Sequence, residues 1–483
     1  MNPTGSAVPL RIQKLSAEKP VNRLLLIPLV LVVAACASTN ANRVRSFERD
    51  ADEIRNTLHI PGMSAAILEN QKVLWTRGFG YADLENRVPA TPQTLYSIAS
   101  VTKTLGSTLL MQLVEKGQVA LNEPIARYPP SQYAPAITDE RVQIRHILSH
   151  TSEGTPGQGF SYNGALFDAI TGVIENTYGA SFADVLARQI LDPLQMTESV
   201  PGHNVINDPE LARRYAPALA RFARPYAFYG NGEIVAATYP GRDIGASAGL
   251  LSTVRDLAKY DAALDRHLLI QPQTQELAWT PFVSNAGTQL PYGLGWFVGD
   301  YQGERLIWHS GNWGSGFSAI YLKLPARNLS LILLANSEAL SDPFWVPGET
   351  NPFICSFLRH FVFNRDDRCE QAAEAVMNTW LEGRAARAEP TMTLDETVLA
   401  SYAGEYQQSE RRTYTVAREG TRLFIDIPTR DDRLEMFASP KGDFFFKVTT
   451  PTRVRFVREG ATVTGLEFHF GEGEEPIRAR KVH

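Results

Sequence analysis

The stretch Thr94–Gly117 reads TLYSIASVTKTLGSTLLMQLVEKG and carries the most informative pattern of the chain. Apolar residues recur at helical spacing from Leu105 to Val114, as in a helix that packs one face into a core. Ser100 and Lys103 are three residues apart at the start of this predicted helix, so their side chains share a face. A serine hydroxyl becomes a nucleophile when a neighbouring group accepts its proton, and a buried lysine can do so near neutral pH.

Two interpretations of this pattern are open. In the first, Ser100 at a helix N-terminus lies beside free backbone N–H groups and the positive end of the helix dipole, which favour a developing oxyanion. In the second, Ser100 is a helix cap and Lys103 is a solvated surface lysine. The first predicts a nucleophilic serine, whereas the second predicts local structure only.

Composition and charge limit the classes of function. The chain has 483 residues, more than one ordinary domain, and its 44% hydrophobic and 20% charged residues are normal for a globular protein. The net charge is -5, and the N-terminus is the part in which basic residues cluster. A nucleic-acid partner is therefore not expected.

Residues 1–36 predict a targeting segment. Four basic residues precede an apolar run, Leu24–Val33, which is too short to span a bilayer comfortably. The following Ala34-Ala35-Cys36 resembles a bacterial lipobox, whose cysteine becomes the lipidated N-terminus. We therefore expect an exported lipoprotein that is anchored to the membrane through Cys36 and faces the periplasm. Delivery to the outer membrane is expected because Ala37-Ser38 lacks the aspartate that often retains such lipoproteins. A non-cleaved membrane anchor is the alternative.

Two further cysteines, Cys355 and Cys369, form an even pair in a chain that is expected to be exported. An oxidising compartment favours a disulfide between them, and closing so short a loop stabilises by about 3 kcal/mol in the chain-entropy model. Two free buried thiols are the alternative. Neither cysteine neighbours a motif, so no catalytic chemistry is assigned to them.

Strand patterns lie at both ends of the region 37–389, with helical patterns between them. Residues 63–68 and 72–75 predict a hairpin, and residues 317–325 and 329–334 predict two further strands. The order predicts a mixed α/β (α+β) domain in which N- and C-terminal parts share an antiparallel sheet beside a helical subdomain.

An Ala-rich helical pattern ends at Glu389-Pro390, where we place a linker. Short alternating strands separated by glycine turns then predict a small all-β barrel or sandwich over residues 390–483. Its aromatic residues are expected to be core rather than a ligand cage.

Two more constellations follow the Ser-x-x-Lys pattern in order. Tyr162-Asn163-Gly164 precedes a helical pattern, and His309-Ser310-Gly311 opens the second strand region. The three patterns resemble the motifs of the class C β-lactamase and penicillin-recognising serine hydrolase family, and the resemblance extends over most of residues 60–336. The tail from Leu399 resembles the lipocalin-like C-terminal domain of some of these hydrolases. A packed aromatic and a satisfied core histidine are the alternatives for Tyr162 and His309.

The resemblance implies roles for individual residues. Ser100 would be the acylated nucleophile, Lys103 its partner, and Tyr162 the group that passes protons. The backbone N–H groups of Ser100 and Asn312 would form the oxyanion hole. The substrate-binding residues would be Asn163, His309, Ser310 and Gly311. No metal and no organic cofactor is implied, and His150, in a segment that the family shares, is interpreted as structural.

Two departures from the family bear on the substrate. Gly164 stands where the family usually has an asparagine that binds a substrate amide, and His309 stands where β-lactamases have a lysine. Histidine is mostly neutral at pH 7 and gains its charge below about 6.5. Weaker affinity for anionic β-lactams is therefore expected, together with an acid-shifted pH profile for anionic substrates.

These observations predict a serine hydrolase that acts through an acyl-enzyme on ester or amide bonds of small-molecule or peptidoglycan-derived substrates. β-Lactamase or D,D-peptidase activity is the alternative within the same chemistry. The alternative of another class is a catalytically weak penicillin-binding or sensor protein. Acylation needs only the first two motifs, whereas turnover also needs a positioned water.

Overall fold

A computed structural model describes residues 26–132, 134–230, 232–239, 241, 243–314, 316–341, 351–363, 367–387, 389–409, 412–427, 433–447, 452–469 and 475–482. Most of the predicted targeting segment, residues 1–25, lies outside these ranges. The lipidation predicted at Cys36 stays a prediction.

Helices and strands alternate through the first four fifths of the chain. The helices are α1 (Leu26–Thr57), α2 (Thr102–Glu115), α3 (Ile144–Leu148), α4 (Gly164–Phe167), α5 (Ala169–Tyr178), α6 (Phe182–Leu186), α7 (Pro209–Leu219), α8 (Val254–Asp265), α9 (Pro272–Ala278), α10 (Pro352–Leu358), α11 (Asp367–Arg387) and α12 (Glu396–Tyr402). The strands before the barrel are β1 (Gly62–Glu69), β2 (Lys72–Asp83), β3 (Val88–Pro89), β4 (Tyr96–Ser97), β5 (Val200–Pro201), β6 (Tyr226–Gly230), β7 (Glu233–Ala236), β8 (Leu250–Ser252), β9 (Phe297–Tyr301), β10 (Glu304–Trp313), β11 (Phe317–Leu324) and β12 (Leu329–Ala335).

The main sheet is antiparallel and has the strand order β3-β2-β1-β12-β11-β10-β9. β1 pairs with β12 from Met63 opposite Ala335 to Glu69 opposite Leu329, so the two ends of the domain meet at the centre of the sheet. The predicted mixed fold and the predicted antiparallel sheet are confirmed. The central strands read as nearly continuous apolar runs because both of their faces are covered.

The sheet separates two hydrophobic cores, and the alternation of side chains along each strand decides which core a residue joins. On β1, Ala66 and Leu68 face one core, whereas Ala65 and Ile67 face the other. The first core packs the sheet against α2, α5 and α8. The second core packs it against α1, α10 and part of α11. The large helical region between β2 and β9 is thereby placed over one face.

Helix α1 runs from Leu26 through the predicted cleavage position into the body of the protein. Phe47 and Ala51 of this helix are buried in the second core. Within the described ranges, no helix is both long and apolar enough to cross a membrane. Cys355 of α10 and Cys369 of α11 are joined by a disulfide, which ties α11 to α10, the helix that contacts α1.

The C-terminal part forms a closed up-and-down barrel, as the all-β pattern predicted. Its strands are β13 (Gly404–Ser409), β14 (Arg412–Glu419), β15 (Arg422–Asp426), β16 (Arg433–Ala438), β17 (Phe444–Phe445), β18 (Arg453–Glu459), β19 (Thr462–His469) and β20 (Ile477–Lys481). Tyr406, Phe444 and Phe468 are buried with aliphatic side chains in one core, so these aromatic residues fill the barrel.

The barrel contacts the hydrolase-like part through the β6–β7 hairpin. Tyr229 stacks on Phe445 with ring centroids 6.1 Å apart, and Glu233 forms an ion pair with Lys447. The linker predicted at 389–390 lies in the connection between α11 and α12. The division of the chain into domains at this point stays a prediction.

Candidate active site

Ser100 lies in a 3-10 turn, Ala99–Val101, that runs directly into α2. Ala99 has a φ of 45°, a left-handed conformation that is costly for a residue other than glycine. Ser100 is half-buried, whereas every residue of α2 from Thr102 to Leu113 is buried. The serine is therefore a partly accessible hydroxyl at the start of a buried helix.

Lys103 lies beneath this serine and is 1% exposed. Its Nζ donates to Ser100 Oγ at 3.1 Å and to the Ser247 carbonyl at 2.9 Å. The rings of Tyr162 and Phe167 lie 5.1 and 5.3 Å from Nζ, measured to the ring centroids. A solvated surface lysine is thus excluded. The alternative of a capping serine also fails, because the N-cap of α2 is Val101 and no side chain caps it.

Tyr162 completes a cluster with these two residues. Burial raises the pKa of Tyr162 above its ordinary value, and a hydrogen bond with the Ser100 side chain partly offsets that rise. Phe297 stacks on the Tyr162 ring with centroids 6.0 Å apart. The tyrosine is consequently a neutral phenol at neutral pH, which can donate or relay a proton.

His150 holds the backbone on both sides of Tyr162. Ser161 N donates to the His150 carbonyl at 2.8 Å, and Asn163 N donates to His150 Nδ1 at 3.1 Å. The His150 and Tyr162 rings lie 4.2 Å apart. Burial first, and then the charge of Lys103, lower the pKa of His150 well below its ordinary value. A neutral ring that supports this turn agrees with a structural interpretation of His150.

The end of β10 forms the opposite wall of the site. A Cβ at Gly311 would lie 2.2 Å from the Ile98 carbonyl oxygen, so only glycine lets β10 pass this close to the segment that leads to Ser100. The described pairing of β9 with β10 ends at Trp308. Asn312, beyond that point, lines the same cleft as Ser100. The role of the Ser100 and Asn312 backbone N–H groups as an oxyanion hole stays a prediction.

Asn163 does not reach the cleft as the resemblance implied. Its Oδ1 caps α4 by accepting from Leu166 N at 3.0 Å, and its Nδ2 donates to Glu153 Oε1 at 3.2 Å. The side-chain amide is used by local structure. Gly164 is the residue that faces the site, since a Cβ there would lie 3.6 Å from Lys103 Nζ. The cleft therefore has open space where a family asparagine would be.

His309 is fully buried, and both of its ring nitrogens are used inside the protein. Nδ1 donates to the Ser310 carbonyl at 2.6 Å, so Nε2 accepts from the Tyr292 hydroxyl at 2.8 Å. Burial, followed by the charge of Lys103, lowers the pKa of His309 to about 3. The expectation that His309 gains a charge near pH 6.5 to bind a carboxylate is wrong, because the ring is desolvated. Ser310, next to it, is half-buried.

The cleft in front of the serine has a volume of about 310 Å³. It is lined by Ser100, Lys103, Gly164, Ala165, Asp168, Ser247, Ala248, Asn312 and Trp313. A larger groove of about 690 Å³ lies between β2 and α8, but no serine, cysteine or histidine lines it. Within the described part of the chain, no group of three or more His, Cys, Asp or Glu residues is arranged to hold a metal ion.

Two polar residues of this cleft, Asp168 and Ser247, received no role from the sequence. Asp168 stands alone among apolar residues in the stretch ALFDAITGVI, beginning at Ala165, and a lone charge on a buried face is a signal that could have been noticed. Ser247 has no such signal, since its role lies in its backbone carbonyl. Asp168 and Ser247 are 79 residues apart in the sequence, so no local sequence pattern predicts their contact.

Comparison with known proteins places this geometry in a family. The family model described as Beta-lactamase matches residues 47–344. Penicillin-binding protein 4* of Bacillus subtilis is 23% identical over 451 residues, which cover 85% of this chain and 94% of that protein. Protein flp of Staphylococcus aureus is 25% identical over 315 residues, and the match covers 58% of this chain and only 60% of that protein.

Solved structures agree at the level of the fold. The octameric penicillin-binding protein homologue from Pyrococcus abyssi superposes with a TM-score of 0.57 at 20% identity, covering 91% of this chain and all of that one, 100%. SurE superposes with a TM-score of 0.51 at 18% identity, covering 92% of this chain and 100% of that one. The family resemblance inferred from the three motifs is confirmed.

Proposed function

The chain belongs to the beta-lactamase family, and from that premise we propose that it is a serine hydrolase that forms an acyl-enzyme at Ser100. The observation that carries the proposal is the buried Lys103 amine, 3.1 Å from the Ser100 hydroxyl. A lysine in that position can take the serine proton as the serine attacks a carbonyl. The family supports substrates of the β-lactam or peptide-like kind.

Acylation begins when Ser100 Oγ attacks the substrate carbonyl carbon and Lys103 Nζ accepts the hydroxyl proton. In this proposal the carbonyl oxygen becomes an oxyanion that accepts from the backbone N–H groups of Ser100 and Asn312, two residues that line the cleft. Tyr162, a phenol within hydrogen-bonding reach of Ser100, donates its proton to the leaving group and regains one from Lys103. The bond from carbon to leaving group then breaks, and the acyl group remains on Ser100.

Deacylation reverses these roles with water as the nucleophile. A water molecule attacks the acyl carbon, and the cluster of Lys103 and Tyr162 takes its proton and returns one to Ser100 Oγ. The efficiency of this step separates a hydrolase from a protein that only becomes acylated. The penicillin-binding protein among the relatives makes slow turnover of a penicillin adduct the second outcome to test.

The lining of the cleft favours neutral esters over penicillins and cephalosporins. Gly164 has no side-chain amide to bind the substrate, and His309 is buried with its pKa lowered to about 3. The charged residues that line the cleft are Lys103 and Asp168, and both make hydrogen bonds within its wall. A substrate carboxylate would therefore meet little compensating charge.

Intact-mass measurement tests the proposal directly. The purified protein is incubated with p-nitrophenyl esters and with a fluorescent penicillin, and an adduct is mapped to Ser100. Ser100→Ala should abolish both the adduct and ester turnover. Ser161→Ala is the matched control, because this exposed serine lies beside Tyr162 and should leave turnover unchanged. Near-wild-type turnover by Ser100→Ala would reject the enzyme and favour a binding protein.

We also propose export and lipid anchoring, with the catalytic part outside the cytoplasm. The basic and apolar pattern before Cys36 and the disulfide between Cys355 and Cys369 support this location. Membrane fractionation of cells that express the wild type and Cys36→Ala tests it. Equal recovery of the two proteins in membranes would contradict anchoring through a lipid.

A further inference from the structure

The segment 245–248 touches the catalytic lysine and has neither helix nor strand structure. Its Ser247 carbonyl accepts a hydrogen bond from Lys103 Nζ at 2.9 Å. A segment outside helices and strands lacks their regular backbone hydrogen bonds, so other contacts must fix the direction of its carbonyl groups. Whatever holds this loop therefore also helps to fix the position of the Lys103 amine.

Asp168 supplies the main contacts of that loop. It is 1% exposed, and its Oδ1 accepts from Ser247 N at 3.2 Å and from Ser247 Oγ at 2.7 Å. Thr171 Oγ1 donates to the same oxygen at 3.3 Å, and Ser131 Oγ donates to Oδ2 at 2.7 Å. Four donors satisfy a buried carboxylate, and bonds to a charged acceptor are stronger than neutral ones.

The loop is shaped to receive this carboxylate. A Cβ at Gly245 would lie 2.3 Å from Asp168 Oδ1, so a side chain at this position would push the carboxylate away. Ala246 N donates to Thr171 Oγ1 at 2.7 Å. Two successive amides, those of Ala246 and Ser247, are thus bound by side chains from the start of α5.

Asp168 also lies next to the open space left by Gly164. Asp168 N donates to the Gly164 carbonyl at 3.2 Å, so the two residues are one helical turn apart and share a face. Both line the cleft with Lys103. An asparagine side chain at position 164 would approach the lysine directly, whereas here a carboxylate approaches it through Ser247.

We propose that Asp168 is a positioning residue for acyl transfer, which holds the Ser247 carbonyl against Lys103 and so aims the amine at Ser100. This inference rests on the proposed function. With Ser247 fixed, one Lys103 hydrogen bond is committed to the loop and another is directed at the Ser100 hydroxyl. Without Asp168 the carbonyl can turn away, and the amine loses its hydrogen bond to Ser247. Small displacements of reacting groups cost large factors in rate.

Three variants test separately the carboxylate of Asp168, its charge, and the hydroxyl of Ser247. Asp168→Ala removes every acceptor and should slow acylation of Ser100 by about ten- to a hundredfold with little change in KM. Asp168→Asn keeps an oxygen for Ser247 and should restore the rate to within about threefold, since a neutral bond of the same geometry still fixes the loop. Ser247→Ala keeps the carbonyl and removes only the hydroxyl, so its rate should fall between those two.

The deciding measurement repeats Asp168→Ala in a Lys103→Ala background, with adduct formation followed by mass over long incubations. If Asp168 acts through Lys103, the second substitution should add less than about a twofold loss, because coupled residues are not additive. A full additional loss would show that Asp168 supports the fold only and would overturn the inference. A wild type that forms no Ser100 adduct would instead contradict the proposed function.

A matched control and a second readout complete the test. Asp256 is equally buried and accepts from Ser199 Oγ at 3.0 Å and Glu198 N at 2.7 Å, and none of these residues lines the cleft. Asp256→Ala should lower thermal stability without this coupling to Lys103. Amide hydrogen exchange over residues 245–248 should rise in Asp168→Ala, and unchanged exchange there would overturn the inference whatever the activity.

Discussion

Lys103 on α2 and Lys323 on β11 are each 1% exposed, yet their hydrogen-bond partners differ. Lys323 on β11 forms ion pairs with Asp261 and Asp265 of α8, the second at 2.8 Å. Lys103 instead contacts the Ser100 hydroxyl and the Ser247 carbonyl. Burial therefore does not decide what a lysine does; its hydrogen-bond partners do.

The partners of Lys323 favour its charged form. Burial disfavours the charged form of Lys323, but the two carboxylates outweigh that cost and raise its pKa above the ordinary value. Such a lysine is a fixed cation that holds α8 to the sheet. Lys103 lies against a hydroxyl, a carbonyl and two aromatic rings, and these four partners carry no formal charge. The comparison predicts that one lysine serves the reaction and the other serves the fold.

The largest effect is expected at Lys103. Lys103→Ala should lower ester turnover by at least about a hundredfold and by as much as about ten-thousandfold, because it removes the proposed general base for Ser100. Tyr162→Phe should also cost at least about a hundredfold, since the phenol relays the proton. Lys116→Ala, at the exposed end of the same helix, is the control and should be active. The measurement is kcat/KM for each variant. If Lys103→Ala kept most of its activity, the proposed difference between the two lysines would be wrong.

The next effect is on stability at Lys323. Lys323→Met leaves two buried carboxylates uncompensated and should lower the free energy of unfolding by about 3–5 kcal/mol, with turnover per folded molecule unchanged. Adding Asp261→Asn and Asp265→Asn should recover much of that loss, because no buried charge then remains. Urea unfolding of the variants measures both effects. A lysine that could be replaced without loss would show that this network is dispensable.

The same network has a predictable pH dependence. The pKa of Lys323 is raised in the folded state, so its contribution is fully present below the unfolded value of about 10.4 and is lost as pH rises through the folded value. The contribution of Lys323 and its two carboxylates to the free energy of unfolding should consequently be constant from pH 7 to 9 and fall above about pH 10.4. Urea unfolding at pH 7, 9 and 11 checks the sign, with Lys323→Met as the reference that lacks the term.

The smallest expected effect concerns His309 and the pH dependence of activity on charged and neutral esters. The pKa of His309 is lowered to about 3 by burial and by Lys103, so this ring stays neutral from pH 4 to 8. Activity should fall at low pH as the base becomes protonated, with the same midpoint for an anionic ester and a neutral ester of equal leaving group. The readout is kcat/KM against pH for both substrates. An acid-shifted profile for the anionic ester would mean that His309 titrates against the substrate.

Local periodicity was enough for much of the fold. The hairpin at 63–75 appears as β1 and β2, and the strands predicted from residues 317 and 329 appear as β11 and β12. The short alternating strands predicted over residues 390–483 appear as the strands β13 to β20 of the barrel. The barrel closes because β13 pairs with β20. A pairing between segments that are far apart in sequence cannot be predicted from the residue pattern within either segment.

The candidate site was less completely predictable. The spacing of Ser100 and Lys103 was sufficient because one helix turn brings them together, and the observed contact follows from that geometry. Asn163 and His309 were assigned to the substrate by position in a motif, yet Asn163 caps a helix and His309 is desolvated. The orientation of a side chain depends on what surrounds it, which a motif does not specify.

The sequence by itself predicted a nucleophilic serine from the spacing of Ser100 and Lys103, and its three motifs resembled the family that the comparisons confirm. Hydrophobic periodicity predicted the order of sheet, helices and barrel. Only the tertiary structure decided which groups meet. It placed Asp168 against Ser247, 79 residues away, and placed Lys323 between two carboxylates of α8. Such contacts depend on how helices and strands pack against one another. Packing fixes the distances between charged groups and the extent of their desolvation, and these two quantities set the electrostatic free energy of each buried lysine.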